Sequence, residues 1–149
     1  MRTLRRVVIT GVGLVSPLGA NAEASWRNLL RGDSGIRPVQ NFDVTDLPAK
    51  IAGTISQSED DQDSFRPDDW LEPKEQRKID RFILLGLVAA TQAVNDSGWA
   101  PNTEEEQNKT GVIIGSGIGG LQQIYDNSIK LKEAGPRRIS PFFIPAALI

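Results

Sequence analysis

Two short apolar runs that end at glycine, each followed by a helical pattern, constrain the fold of this chain most. The run at residues 7–10 stops at Gly11, and the run at residues 112–114 lies between Gly111 and Gly115. Short, continuous, β-branched runs of this kind are typical of strands that are buried on both faces of a sheet. We therefore predict an α/β fold that contains two buried strands.

Three helices are predicted around these runs. Asn21 is a candidate N-cap for a short amphipathic helix that ends before Gly32. Residues 75–97 form the second predicted helix, and its large apolar residues surround most of the circumference. Such a helix belongs inside a larger body. The third is predicted over residues 121–134 and is closed by Gly135.

The remaining segments are predicted to be mostly irregular. Gly and Pro interrupt residues 33–52, and residues 51–55 form a candidate edge strand. Residues 104–106 read as an acidic linker, and Pro145 as the first position of a helix. The seven carboxylates of residues 59–72 lack the spacing of an EF-hand, which favours a solvated loop over a metal site.

Composition excludes several classes of function for this chain. It has no Cys and no His, so it contains no thiolate nucleophile, no serine–histidine triad and no zinc site of the usual ligands. The 17 basic and 19 acidic residues give a formal charge of −2, which predicts no nucleic-acid and no membrane partner. No long apolar segment opens the chain, so a cytoplasmic location is expected.

The glycines at 115, 117 and 120 match the G-x-G-x-x-G pattern of dinucleotide-binding proteins. However, the region after the following helix is basic and broken by proline, and it provides no second strand with a terminal acidic residue. This favours glycines that allow close backbone packing or line a narrow channel. A dinucleotide-binding reductase remains an alternative.

Five separated motifs together resemble the opening of the type II β-ketoacyl-acyl carrier protein synthases, the elongating condensing enzymes of dissociated fatty-acid synthesis. GSGIGG followed by SPFFIP fits type II synthases better than type I. Residues 56–69 look like an insertion. The motifs are RRVVITGVGLVSPLG at 5–19, SGI at 34–36, KEQRKID at 74–80, IGSGIGG at 114–120 and GPRRISPFFIP at 135–145.

The resemblance implies a thiolase-like fold of five αβαβα layers, built from two similar halves and working as a homodimer. Residues 1–149 would be the amino-terminal portion of the ketosynthase domain, truncated before the catalytic nucleophile. The family's catalytic cysteine and two histidines would all lie beyond Ile149, so no catalytic residue is expected within the chain. The chain alone is then expected to be inactive.

The function implied by the resemblance is elongation by decarboxylative Claisen condensation with malonyl-acyl carrier protein, without a cofactor or a metal. A non-catalytic homologue of the chain-length-factor kind is a second alternative, because it would keep the fold and the dimer and lack the cysteine.

The resemblance also implies two groups of site residues. Gly117 and Ile118 would lie beside the acyl channel, and Phe143 would reach across the dimer to the partner's pocket. Core packing is the alternative for Ile118 and Phe143. A second, basic group would dock the acidic carrier protein, unless it is ordinary solvated charge or is neutralised by Asp68, Asp69 and Glu72. This docking cluster comprises Lys74, Arg77, Lys78, Arg137 and Arg138.

Overall fold

The computed structural model describes residues 5–149 and divides into two compact units. Unit 1 comprises residues 5–65 and 89–100, and unit 2 comprises residues 66–88 and 101–149. No helix in this described part of the chain is long and apolar enough to span a bilayer.

Unit 1 contains a complete helix, the second half of a longer helix and one two-stranded sheet. Helix α1 spans Ala22–Leu30, and the side chain of Asn21 accepts a hydrogen bond from the backbone N–H of Ala24 at 2.8 Å. The predicted N-cap is thereby confirmed. Strands β1 (Ile36–Pro38) and β2 (Ile51–Gly53) pair antiparallel, so the predicted edge strand is confirmed over three residues.

Unit 2 is helical. Helix α3 is shared, with residues 81–88 in unit 2 and residues 89–97 in unit 1. The core of unit 2 includes Leu84, Val88 and Ala146. Its helices are α2 (Pro73–Gln76), the first half of α3 (Arg81–Ser97), α4 (Glu104–Asn108), α5 (Leu121–Ala134) and α6 (Phe143–Ala147), with 3-10 turns at Pro67–Asp69 and Pro136–Arg138.

The bounds of α5 agree with the predicted helix, but two other helix predictions need correction. The predicted helix over 75–97 is two helices, because α2 ends at Gln76 and α3 begins at Arg81. The Asp80 carbonyl accepts the first intrahelical bonds of α3, from Ile83 and Leu84. Helix α6 begins at Phe143, two residues before the predicted start at Pro145.

The acidic linker predicted at residues 104–106 is a short helix with a capping box. The Thr103 hydroxyl accepts from the Glu106 N–H at 3.2 Å, and the Glu106 carboxylate accepts from the Thr103 N–H at 3.1 Å. The backbone N–H groups of Thr103 and Asn102 both donate to the Glu106 carboxylate, and they lower its pKa below the ordinary value. Three glutamates in the first turn suit the positive end of the helix dipole.

The two predicted buried strands are wrong for the described chain. Neither residues 7–10 nor residues 112–114 form a strand, and the side chains of Val7 and Ile113 are 93% and 99% exposed. A β-strand forms only where its backbone N–H and C=O groups bond to a neighbouring strand. A β-branched run favours the extended conformation, but it does not ensure that a neighbouring strand is present. In residues 5–149 neither run has that partner.

Gly11 and Gly13 place the extended segment that follows residue 10 directly against α3. A Cβ atom on Gly13 would lie 1.8 Å from the carbonyl oxygen of Ala89, and one on Gly11 would lie 2.2 Å from that of Ala93. These contacts are to backbone atoms, which cannot rotate away. Both positions therefore require glycine.

Side chains of α3 hold the same segment by hydrogen bonds. The N–H of Val12 donates to the Asp96 carboxylate at 2.8 Å, and the N–H of Leu14 donates to the Gln92 amide oxygen at 3.1 Å. The Gln92 amide nitrogen donates in turn to the carbonyl of Ala20 at 2.8 Å. Unit 1 is thus organised by contacts between residues 11–20 and the second half of α3.

Candidate functional site

All of the site residues implied by the resemblance lie in unit 2. Gly117 and Ile118 belong to residues 116–120, here called the channel turn, which leads into α5. Phe143 is the first residue of α6. The docking cluster lies on α2, just after it, and on the 3-10 turn Pro136–Arg138.

One hydrogen bond closes the channel turn on itself, and a second joins its last residue to α6. The Ser116 hydroxyl accepts from the N–H of Gly119 at 3.0 Å, and the N–H of Gly120 donates to the carbonyl of Ala147 at 3.0 Å. Gly119 has a φ of 79°, a conformation that favours glycine. The turn and α6 are therefore in direct contact.

The three glycines of the dinucleotide-like pattern differ in their surroundings. A Cβ atom on Gly120 would lie 2.6 Å from the Cα of Ala147, whereas the positions of Gly115 and Gly117 are open. Close packing is therefore confirmed at Gly120 alone. Because residues 112–114 form no strand, the strand–turn–helix context of a dinucleotide site is missing from the described chain.

Ile118 is 76% exposed within residues 5–149. Phe143 is half-buried. The elements that carry these two residues contact each other through Gly120 and Ala147. An exposed branched side chain on a fixed turn is suited to line an apolar passage when further structure covers it.

Ile149 is the residue beyond which the resemblance would place the catalytic cysteine and histidines. Its side chain is about half exposed, and its Cδ1 atom lies 3.5 Å from the position that a Cβ atom on Gly86 of α3 would take. Ile149 is thus an apolar contact of α3 within unit 2 and offers no reacting group of its own. The placement of the catalytic residues beyond it stays a prediction.

The docking cluster is largely unneutralised. Lys78 pairs with Glu75, and its ammonium lies 6.0 Å from the centre of the Phe142 ring, which connects the region after α2 to the segment that follows Arg138. The other four members are exposed and form no ion pair within residues 5–149, namely Lys74, Arg77, Arg137 and Arg138.

The acidic segment does not neutralise this cluster. Asp68 accepts from the neutral side-chain amide of Gln76 at 2.7 Å, and neither Asp69 nor Glu72 forms an ion pair in the described residues. These contacts do not support the alternative in which Asp68, Asp69 and Glu72 occupy the docking cations. The part of the segment that lies in unit 1 is held by Asp63, which pairs with Arg27.

Asp80 is a residue that the sequence-based prediction did not select. Its backbone N–H donates to the carbonyl of Ala146 at 3.2 Å. One carboxylate oxygen accepts from the N–H of Arg81 at 2.6 Å, and the other accepts a longer bond of 3.4 Å from the N–H of Gln123. An acidic residue directly before an apolar helical run was the available signal.

Unit 1 also contains a cleft of about 350 Å³. Its lining includes Asn28, Arg31, Arg37 and Asp63 and none of the predicted site residues. The Asn28 amide nitrogen donates to the carbonyl of Leu18 at 2.6 Å and to the Asp63 carboxylate at 3.1 Å. These bonds assign Asn28 and Asp63 to the packing of unit 1.

The sequence of this chain is similar to those of known proteins of one name. The 3-oxoacyl-[acyl-carrier-protein] synthase 2 of Rhizobium meliloti (strain 1021) is 56% identical over 146 residues, which are 98% of this chain and 35% of that protein. The protein of the same name from Vibrio cholerae serotype O1 is 43% identical over 145 residues, which are 97% of this chain and 33% of its own. The chain therefore spans about a third of these relatives.

A solved structure and a family match agree with these relatives. The structure described as the ishigamide ketosynthase/chain length factor superposes with a TM-score of 0.70 at 25% identity, over 96% of this chain and 34% of that one. The fold is therefore the α/β, thiolase-like fold of ketosynthases, as the motifs predicted. Residues 4–148 match the family described as β-ketoacyl synthase, N-terminal domain. The chain belongs to the β-ketoacyl synthase family, whose N-terminal domain accounts for nearly all of it.

Proposed function

We propose that the intact protein elongates acyl chains by decarboxylative Claisen condensation with malonyl-acyl carrier protein. The observation that carries this proposal is the 56% identity to a 3-oxoacyl-[acyl-carrier-protein] synthase 2 over 98% of the chain. In the reaction, the malonyl group loses CO₂ as its C–C bond breaks. The resulting carbanion attacks an acyl thioester on the enzyme, forms the new C–C bond and releases the enzyme thiolate.

The 149 residues would supply binding surfaces to this reaction and no reacting side chain. Without Cys and His, the chain offers neither a thiolate for the acyl thioester nor an imidazole, so it is inactive alone. The intact protein would act as a cytoplasmic homodimer. The 56% identity to a protein named as a synthase favours this proposal over the non-catalytic chain-length-factor alternative.

Two surfaces of unit 2 are assigned within this proposal. Gly117, Ile118 and Phe143 would line the acyl channel, because Ile118 is exposed on a fixed turn that contacts α6. The docking cluster would bind acyl carrier protein through its four unpaired cations and Lys78. Clustered exposed cations on a chain of slight negative charge are suited to steer an acidic partner.

A chimera tests the proposal. The aligned segment of the Rhizobium meliloti relative is replaced by this chain, and condensation of acyl and malonyl carrier-protein substrates is measured beside the parent enzyme. We expect the chimera to condense and the purified 149-residue chain to show no condensation and no binding in a nicotinamide titration. A chimera that matches its parent in circular dichroism and size but does not condense would contradict the proposal, as would condensation by the isolated chain.

A further inference from the structure

We propose that the carboxylate of Asp80 positions the channel turn and thereby helps to set the length of the acyl acceptor. This inference rests on the proposed function, because it concerns the surface assigned there to the acyl channel. Asp80 is a positioning residue: it acts through the backbone of α5 and α6.

Asp80 contacts three helical elements of unit 2 at once. Its carbonyl and one carboxylate oxygen bond to the first amides of α3. Its N–H reaches the end of α6, at the carbonyl of Ala146. Its second carboxylate oxygen reaches the start of α5, at the N–H of Gln123. The side chain therefore links the turn that precedes α5 to the start of α3 and the end of α6.

The start of α5 lacks a cap of its own. Its N-cap residue is Gly120, which has no side chain to accept from the free amides of the first turn. Gln123 is the third residue of α5, and its amide is one of these free donors. Asp80 supplies the missing acceptor from 43 residues away, and its charge suits the positive ends of both α3 and α5.

The packing around Gly120 transmits the position of Asp80 to Ile118. A Cβ atom on Gly120 would lie 2.6 Å from the Cα of Ala147 and 3.1 Å from a carboxylate oxygen of Asp80. The backbone at Gly120 is thus held between Asp80 and α6. Ile118 lies two residues earlier on the same turn, so a shift at the start of α5 moves its side chain.

The test uses the chimera with Asp80→Asn and Asp80→Ala. We measure kcat/KM for a long and a short acyl acceptor and expect their ratio to change by about three- to tenfold, more for Ala than for Asn. Asn keeps an acceptor and removes the charge, whereas Ala removes both. General loss of stability lowers both rates together and leaves the ratio unchanged. If the Asp80→Ala variant does not fold, the acceptor ratio of the Asp80→Asn variant tests the inference.

Asp96 of α3 provides a matched control. Asp96 also accepts from a distant backbone amide, that of Val12 at 2.8 Å, but in unit 1. Asp96→Asn should lower stability and leave the acceptor ratio unchanged. The variant Ile118→Phe should shift the ratio towards short acceptors by filling the channel.

The outcomes separate the inference from the proposed function. Folded Asp80 variants with an unchanged ratio, beside an Ile118→Phe variant that shifts it, overturn the role of Asp80 and leave the proposed function standing. If Ile118→Phe leaves the ratio unchanged as well, the channel assignment and this inference fail together. A folded chimera that does not condense before any substitution overturns the proposed function itself.

Discussion

At the scale of single residues, Asp63 joins the acidic segment to α1. Hydrogen bonds from Arg27 and then Asn28 lower its pKa from the ordinary value of 3.8. Because the folded pKa lies below the unfolded one, this stabilisation is fully present above about 3.8 and is lost as pH falls through the folded value.

We therefore expect Asp63→Asn to lower the free energy of unfolding at neutral pH and to reduce its acid dependence below pH 3.8. Urea denaturation at neutral pH and at pH 3 measures both effects. Asp60→Asn is the matched control, since no hydrogen bond to the Asp60 carboxylate is formed in the described structure. Equal acid dependence in the two variants would show that Asp63 does not carry this charge-linked stability.

Residue-level prediction from the sequence succeeded where the partner is local. Asn21 caps an amide three residues away, so its role could be inferred from its position. Asp63 meets Arg27 across 36 positions and Asp80 meets Gln123 across 43 positions. Contacts at these separations depend on the tertiary fold, and a single sequence gives no pairing for them.

At the scale of elements, the contact of residues 11–13 with α3 predicts a sharp difference between two glycines. Gly13→Ala places a methyl group 1.8 Å from a backbone oxygen of α3, so the segment must move away. Overpacking costs about 1–3 kcal/mol and more where backbone must shift, so the midpoint of unfolding should fall markedly.

Gly111→Ala is the comparison, because a Cβ atom there meets nothing within 4 Å. Its free energy of unfolding should stay within roughly 0.5 kcal/mol of the parent, as for other surface substitutions. Thermal and denaturant unfolding of both variants measure the difference. A Gly13→Ala variant as stable as Gly111→Ala would mean that the segment does not pack on α3.

The elements that the sequence predicts correctly are those with local signals at both ends. Helix α1 has Asn21 before it and Gly32 after it, and α5 ends at Gly135 with a φ of 77°. The runs at 7–10 and 112–114 are typical of strands, yet a strand needs a partner from elsewhere. The split between α2 and α3 follows from the bonds of Asp80, which periodicity does not reveal.

At the scale of the whole molecule, the exposed cations of the docking cluster predict the surface that would bind acyl carrier protein. Reversing Arg77 and Arg138 to Glu in the chimera should weaken acyl-carrier-protein binding about tenfold at low ionic strength and less at high ionic strength. Folding should change little, because both side chains are exposed and unpaired in the described chain. Titration at two salt concentrations measures the affinity and its salt dependence.

The control for this experiment changes net charge equally at other places. Lys50→Glu with Lys109→Glu reverses two cations outside the docking cluster, and carrier-protein affinity should be nearly unchanged. Equal weakening in both pairs would indicate a general charge effect and remove the docking assignment. The two basic groups could be predicted from the sequence, whereas the position of Lys78 near Phe142, four residues after Arg138, is seen only in the structure.

The contacts of residues 11–14 with α3 also determine when this segment can pack during synthesis. Val12 finds its partner 84 positions later, and Leu14 finds its partner 78 positions later. Because a ribosome makes the chain from its amino terminus, residues 11–14 wait unpartnered until most of α3 has emerged. Closing so long a loop is slow, since much chain entropy is lost before any contact forms. Residues 11–14 can therefore dock only after α3 has been made, and until then their backbone amides lack these partners.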